Sequence, residues 1–342
     1  MAWYHVPGNE QDVVISTQVR MARNLSEFPF PARLDAVGAR EIIARVGGIL
    51  EKNGFCRTDF EGISRAVAYA LVEKHYASPL FVGESLPHAL FLNEPCNLSV
   101  MVCEEDHIRM QAVYPGLSLR DALEGVSGVE SILDASFELA FDERLGYLTQ
   151  NPAELGTAMR ASVMLCLPLL SRSGRTEALT SMLGRMGLSL RELSDREHPS
   201  SGALYRLSTR ITLGMSEEEA INTLEEAARR LIEQERRLRT TVTGAELDRL
   251  TDRVRRAEGI LCAAHLLSAD ELLSLLADVR LGAAMGILTD VRVETLTSLL
   301  IESMPATLSL SADTEPRDDR ERDLLRARLV KERLSLGHPR GA

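Results

Sequence analysis

The sequence predicts an α+β protein, a largely antiparallel sheet with helices packed against it, followed by an α-helical C-terminal domain. Short strand-like runs separated by turn residues recur through the first two-thirds of its 342 residues. At Ser216 the pattern changes, and apolar residues then recur at helical spacing almost to the end. The length gives room for two domains, and a hydrophobic share of 45% with 26% charged residues sets wholesale disorder aside.

The elements follow in order. Gln11–Val19 contains the β-branched run V-V-I. Ala89–Leu92 and Leu98–Val102 read as strands separated by the turn-rich N-E-P-C-N. Leu117–Asp134 is punctuated by glycines, with helical spacing in its middle. Ala161–Leu170 is nearly all apolar, and Leu204–Leu213 alternates again. Pieces of this kind build an antiparallel sheet flanked by helices. Ser216 with Glu219 is a capping box opening a helix to about Arg239, and Ser268 with Glu271 opens another. Ala245–Leu267, Asp290–Met304 and Asp318–Leu336 also read as amphipathic helices, with Pro305–Pro316 as the loop between the last two. The expected domains are 12–240, carrying the sheet, and 241–342, carrying the helical bundle.

A net charge of −11 argues against general nucleic-acid or anionic-membrane binding, which needs a basic surface. No apolar run reaches the roughly 18 residues a membrane span needs. The N-terminus M-A-W-Y-H-V-P-G lacks the basic-then-apolar order of a signal peptide. The five cysteines are odd in number and form no C-x-x-C pair, which predicts a reduced cytoplasmic setting and no structural zinc site.

The most informative segment is V-C-E-E-D-H-I-R-M-Q, Val102 to Gln111, where three adjacent carboxylates, a histidine and an arginine follow a strand. Such acids repel one another. Either the run is a solvated turn, or it serves a cationic substrate beside a polyanion, with Glu104 and Glu105 for the cation and Arg109 for phosphates. Other segments fit the second reading. In S-T-Q-V-R-M-A-R-N, Ser16 to Asn24, Gln18 and Arg20 share one strand face and Val19 the other, while Arg23 reads as a surface ion pair. Arg20 is either an edge arginine or a phosphate ligand, and His75 in V-E-K-H either a structural histidine or a ligand. Gly156 and Thr157 form a small-residue turn before Arg160 whose backbone amides could cradle an anion. Arg191 stands at a strand end. In R-D-L-L-R-A, Arg322 and Arg326 share a helical face with Asp323 nearby, as a solvated salt-bridged face or as a pocket for phosphate and guanidinium. No P-loop motif is present.

Together these segments resemble the bacterial protein-arginine kinases of the phosphagen (ATP:guanido) kinase superfamily. The likeness runs from about Asp12 to Leu336 and includes R-I-T-L-G-M-S-E-E-E, L-I-E-Q-E-R and L-A-D-V-R-L-G-A-A-M-G-I. E-E-D-H-I-R with L-G-T-x-x-R-A-S-V-M is specific in combination, and R-D-x-x-R-A separates protein-arginine kinases from small-molecule phosphagen kinases. The resemblance implies a phosphagen-kinase-like catalytic domain that transfers the γ-phosphoryl of Mg-ATP to a guanidinium nitrogen of protein arginine. It implies that Arg20, Arg109, Arg160 and Arg191 hold the triphosphate, with His75 near the nucleotide. Ser16, Thr17, Gln18 and Val19, with Ala161, Ser162, Val163 and Met164, would line that site. Glu105 would be the catalytic base that orients the guanidinium, with Glu104 beside it. Arg322, Asp323 and Arg326 would recognise phosphoarginine and support allosteric control. A homodimer, an activator protein and a protease–chaperone partner follow by the same analogy. No protein-held metal site is implied.

The sequence departs from the family at several places. Gln18 replaces the first arginine of S-x-R-x-R, Asn151 the cysteine of T-x-C-P, Cys103 the asparagine of N-E-E-D-H, and Ala158 the second glycine of G-T-G. The glycine-rich loop after Arg191 becomes R-E-L-S-D-R-E, with Arg196 where a glutamate is expected. Thr209 and Arg210 alter the S-N-Q triplet, leaving Ser208. Losing one transition-state donor costs roughly 2.7–4 kcal/mol. The alternative expectation is therefore an impaired pseudokinase that reads phosphoarginine as a regulatory or adaptor protein. A small-guanidine kinase is a third, disfavoured by the helical C-terminal segment.

Overall fold

A computed structural model describes residues 2–193, 203–312 and 316–335. In chain order the elements are β1 (Val14–Arg23), α1 (Ala36–Lys52), β2 (Phe55–Asp59), α2 (Arg65–Glu73), α3 (Pro79–Val82), β3 (Ala89–Asn93), β4 (Leu98–Val102), β5 (Ile108–Pro115) and α4 (Leu119–Asp134). Next come β6 (Phe141–Asp142), β7 (Gly146–Tyr147), β8 (Met159–Cys166), α5 (Pro168–Arg172), α6 (Thr176–Arg185), β9 (Leu188–Glu192) and β10 (Leu204–Thr209). Helices complete the chain: α7 (Glu217–Thr241), α8 (Ala245–Ala263), α9 (Ala269–Ala284), α10 (Val293–Glu302), α11 (Pro305–Ser311) and α12 (Asp319–Ser335).

The expected antiparallel architecture is present. Eight strands pair in the order β2-β3-β4-β5-β1-β8-β10-β9, every neighbour antiparallel. Strand alternation divides the sheet into two unlike faces. Val19, Met21, Met110, Val163, Leu165 and Leu207 point into a core closed by α1, α4 and α7. The other face is covered at two places. Trp3, Tyr4, Phe60 and Phe81 pack over one end, and the C-terminal helices bury Met164, Cys166 and Leu204 at the other. Between them the face is polar, and there the register aligns Arg20 with Gln111 and Arg160.

The C-terminal region is helical, and its caps form as the sequence predicts. Ser216 Oγ accepts from the Glu219 amide at 3.2 Å, while the Glu219 carboxylate accepts from the Ser216 amide at 2.8 Å. Ser268 accepts from the Glu271 amide at 3.2 Å.

Two local expectations are corrected. The segment after Pro305 is not wholly loop, because residues 305–311 form α11. Its cap is non-local: the Glu73 carboxylate, at the end of α2, accepts from the Ala306 and Thr307 amides at 2.8 and 2.6 Å. Arg23 is not a surface pair but only 1% exposed. It meets Glu130 at 2.6 Å, donates to the Ala22 and Thr157 carbonyls at 2.7 and 3.0 Å, and lies 3.4 Å over the Tyr147 ring. A guanidinium buried this deeply is tolerated because nearly every face of it is compensated.

Two of the family departures fall on left-handed backbone. Cys103 and Ala158 have φ of 65° and 49°. Asparagine and glycine adopt that region readily, so the chain keeps the conformation after losing the residue types that favour it.

Candidate active site

The turn joining β4 and β5 separates the three acids chemically. It is closed by Cys103 N–H donating to the His107 carbonyl at 2.8 Å and Glu104 N–H to the Asp106 carbonyl at 3.1 Å. Glu104 is buried, 2.5 Å from Arg109 Nη1, and accepts from the Ser78 hydroxyl. Asp106 is also buried, accepting from Asn24 Nδ2 at 2.7 Å and the Gln150 amide at 2.8 Å. Burial raises the Asp106 pKa, against those hydrogen bonds and the charge of Arg109. Glu105 alone remains partly open, its side chain 31% exposed and one oxygen 3.0 Å from Arg109 Nη2. The run is thus two buried anchors flanking one accessible carboxylate. His107 is structural: Nδ1 accepts from the Leu25 amide at 3.1 Å, so Nε2 carries the proton and donates to the Pro29 carbonyl at 2.9 Å.

Arg109 is the hub of these acids. Burial pulls its pKa down, but Glu104, Glu154, Asp106 and Glu105 more than offset that and hold it above the ordinary value. Glu154 was not singled out from the sequence. It sits in the single turn Pro152–Glu154, where Asn151 Oδ1 accepts from the Ala153 amide at 3.1 Å. Its carboxylate lies 3.2 Å from Arg160 and 3.9 Å from Arg109, joining the acidic turn to the arginines of the sheet.

Beside Glu154 opens a cavity of about 370 Å³. It is lined by Gln18, Arg20, Arg160, Ser162 and Arg191, all anticipated, and by Arg206 and Arg210, which were not. Arg206 escaped notice because only the β8–β10–β9 register brings it opposite Met164 and Arg191. Arg20 is the most informative member. Its side chain has no hydrogen-bond or ion-pair partner among the described residues, and burial, with Arg109 next, pushes its pKa down to about 10. An unpaired guanidinium is costly to desolvate, and an anion in the cavity would relieve that cost.

The other expected positions divide by strand parity. Ser16 and Met164 share the cavity's sheet face, one register row beyond Gln18 and Ser162. Thr17, Val19 and Val163 instead turn into the opposite core, fully buried, so only their backbones can contribute to the site. Ala161 lines the cavity, and its amide donates to Thr209 Oγ1 at 3.1 Å. The Gly156–Thr157 turn is not an anion cradle. The Thr157 amide already donates to the Thr212 carbonyl at 3.0 Å, and Gly156 packs so closely that a Cβ would lie 2.1 Å from that oxygen. The substituted loop containing Arg196 lies outside the described residues.

His75 lies just off the cavity. Its carbonyl accepts from Gln111 Nε2 at 2.5 Å, its ring meets Trp3 at 5.6 Å, and its backbone φ is 62°. Burial, then the charge of Arg206, pushes its pKa down to about 4. The imidazole is therefore neutral in the fold where the unfolded chain would bind a proton near pH 6.5. Its contribution to stability is fully present above pH 6.5 and lost as pH falls through about 4, on the order of 2 kcal/mol. Urea midpoints measured across that window should fall with pH, and His75→Asn should flatten the fall. An unchanged slope in the variant would remove His75 as its source.

A second cavity, about 700 Å³, lies between α2 and the C-terminal helices, lined by Arg65, Tyr69 and Glu73 with Asp270, Arg322 and Arg326. Arg326 is buried and donates to the Ser303 and Leu267 carbonyls at 3.2 and 2.8 Å and to Asp323 at 2.5 Å, tying α12 to its neighbours. Arg322 is half-exposed and bound to Asp319. The expected juxtaposition of Arg322, Asp323 and Arg326 is present, with Arg326 largely committed to structure.

Among the described residues no group of three or more His, Cys, Asp or Glu side chains is placed to hold a metal ion, and no helix is long and apolar enough to cross a membrane.

A sheet face with an arginine-lined, anion-sized cavity on one side and an accessible carboxylate on the other has the makings of a guanido phosphotransferase site. Residues 45–238 match the family ATP:guanido phosphotransferase, C-terminal catalytic domain, and residues 247–341 match the protein-arginine kinase McsB C-terminal domain. The chain is 34% identical over 337 residues to a protein-arginine kinase of Halothermothrix orenii, covering 98% of this chain and 96% of the relative. It is 37% identical over 343 residues to that of Symbiobacterium thermophilum, covering 97% and 96%. Among solved structures it resembles the duplicated taurocyamine kinase of Schistosoma mansoni with bound transition-state-analogue components. The TM-score is 0.61 at 25% identity, over 76% of this chain and 38% of the duplicated one. Lombricine kinase shares the fold with a TM-score of 0.60 at 21% identity, over 70% and 71%. The chain belongs to the protein-arginine kinase family.

Proposed function

We propose that this protein transfers the γ-phosphoryl group of ATP to the guanidinium of arginine side chains in proteins. The observation that carries the reading is the Arg20 guanidinium, without an ion-pair partner among the described residues, in an arginine-lined cavity beside a turn whose one accessible carboxylate is Glu105. The residues fit a triphosphate: Arg20, Arg160 and Arg191 line the cavity, and Arg109 borders it through Glu154. Mg-ATP supplies the transferred group, the metal entering on the phosphates. Arg20, Arg160 and Arg191 neutralise those oxygens and fix their direction, which is most of the work in phosphoryl transfer. Glu105 aligns the substrate guanidinium. Because free guanidinium has a pKa above 12, Glu105 takes the proton as the N–P bond forms rather than before it.

The free cysteines and the absence of a membrane-spanning helix among the described residues accord with a cytoplasmic enzyme. Labelled γ-phosphate offered with an unfolded arginine-rich protein, and separately with free arginine, tests the substrate class. Acid-labile label on the protein supports the reading, and label on free arginine alone contradicts it.

The cavity at Arg322, Asp323 and Arg326 is proposed as the phosphoarginine-recognition site of the helical domain. Arg322 is the residue to vary, because Arg326 holds backbone carbonyls whose loss would disturb the fold. Calorimetry should find phosphoarginine bound at least tenfold more tightly than arginine, with Arg322→Ala removing most of the difference. Equal affinity for the two ligands in the unaltered chain would overturn this assignment.

A further inference from the structure

We propose that Arg206 is a phosphate-binding residue of the nucleotide site and supplies the cation that Gln18 does not. The inference rests on the reading of the Arg20 cavity as that site. Gln18 lies in the register row Gln18–Ser162–Ser208–Ser189, where every side chain is neutral. The next row on the same face runs Ser16–Met164–Arg206–Arg191. Adjacent rows on one face are two residues apart along a strand, roughly 7 Å, a shift that a long arginine side chain can span. A cation missing from one row thus reappears in its neighbour, two strands across, on the wall of the same cavity.

Arg206 faces Arg191 directly across a strand pair, and like charges in that position destabilise a sheet. Neither side chain has a carboxylate partner among the described residues. The Glu154 carboxylate on the same cavity wall holds Arg160. Arg206 keeps its guanidinium exposed on the cavity wall, and the surrounding protein lowers its pKa with no acid raising it. Facing arginines on a cavity wall, without a carboxylate partner among the described residues, suit a polyanion bridging them, and Arg forks match phosphate oxygens well. Strand β10 thereby adds a ligand to a cradle that the motifs place only on β1, β5, β8 and β9.

The test uses tripolyphosphate as the probe, so it does not depend on turnover. Calorimetry on the full chain should show Arg206→Gln weakening tripolyphosphate at least tenfold, with a thermal midpoint equal to or above that of the unaltered chain. Introducing Gln18→Arg into the Arg206→Gln background should recover most of the affinity, and Gln18→Arg alone should add less than it recovers there. Unchanged tripolyphosphate affinity in Arg206→Gln, or no recovery in the double variant, overturns the proposal. In the kinase assay Arg206→Gln should raise the KM for ATP about tenfold. A chain that binds tripolyphosphate through Arg206 yet labels no protein would instead refute the kinase reading while leaving this site in place.

Discussion

Glu105→Gln is expected to lower phosphoryl transfer by 10²–10⁴-fold, the range associated with a positioned acid–base group. The substitution keeps the size of the side chain and its reach to Arg109, now 3.0 Å from the carboxylate, while removing the charge and the proton acceptor. Because Glu105 is the only one of the three adjacent acids with substantial exposure, the loss should be specific to it. Glu104 and Asp106 are tied to Arg109, Ser78, Asn24 and the Gln150 amide, so changing either should cost stability as well as rate. The KM for ATP should barely move in Glu105→Gln, since the phosphate cradle is untouched. A variant retaining more than a tenth of the rate would remove Glu105 from the chemistry.

Arg20→Met should have the opposite signature in stability and a similar one in activity. Removing a half-buried guanidinium that has no ion-pair partner among the described residues relieves part of a desolvation cost, less the attraction of Glu154 and Glu104, so the folded chain should gain at most about 1 kcal/mol. On the proposed function the same change removes a cation that holds the transferring phosphates, and kcat/KM for ATP should fall by roughly 10²–10³-fold. Stability and function therefore move apart at this one side chain, as expected where a site is built at the fold's expense. The paired measurement is thermal denaturation alongside steady-state kinetics. A variant that is less stable and still active would mean that Arg20 serves the fold rather than a ligand.

The contrast between Arg20 and Arg23 explains how much of the site the sequence carries. Both stand in one strand three residues apart, and local pattern alone offered an edge position or a phosphate for Arg20 and a surface ion pair for Arg23. Arg20 lies in the cavity without an ion-pair partner among the described residues, whereas Arg23 is enclosed by Glu130, Tyr147, the Thr157 carbonyl from a distant segment and the carbonyl of its neighbour Ala22. Elements with local signals were legible: the capping box at Ser216 and the N-cap at Ser268 opened helices where expected, and the strands around N-E-P-C-N formed. Helix α11 was not, because its cap comes from Glu73, far back in the chain. Arg206 and Glu154 were missed for the same reason. Their roles depend on strand register and on a one-turn segment that motif spacing does not encode. Motif spacing also named whole runs where alternation admits only half, so Thr17, Val19 and Val163 fell on the core side.

On the proposed function this sheet face both holds ATP and presents an arginine side chain to it, despite Gln18 and Ala158. Mass spectrometry of an unfolded arginine-rich protein incubated with Mg-ATP and the full chain, handled without acid, tests it most directly. Phosphate is expected on arginine residues, and absent when Glu105→Gln replaces the unaltered chain. Phosphate only on serine or threonine, or none on a chain that remains folded, would contradict it.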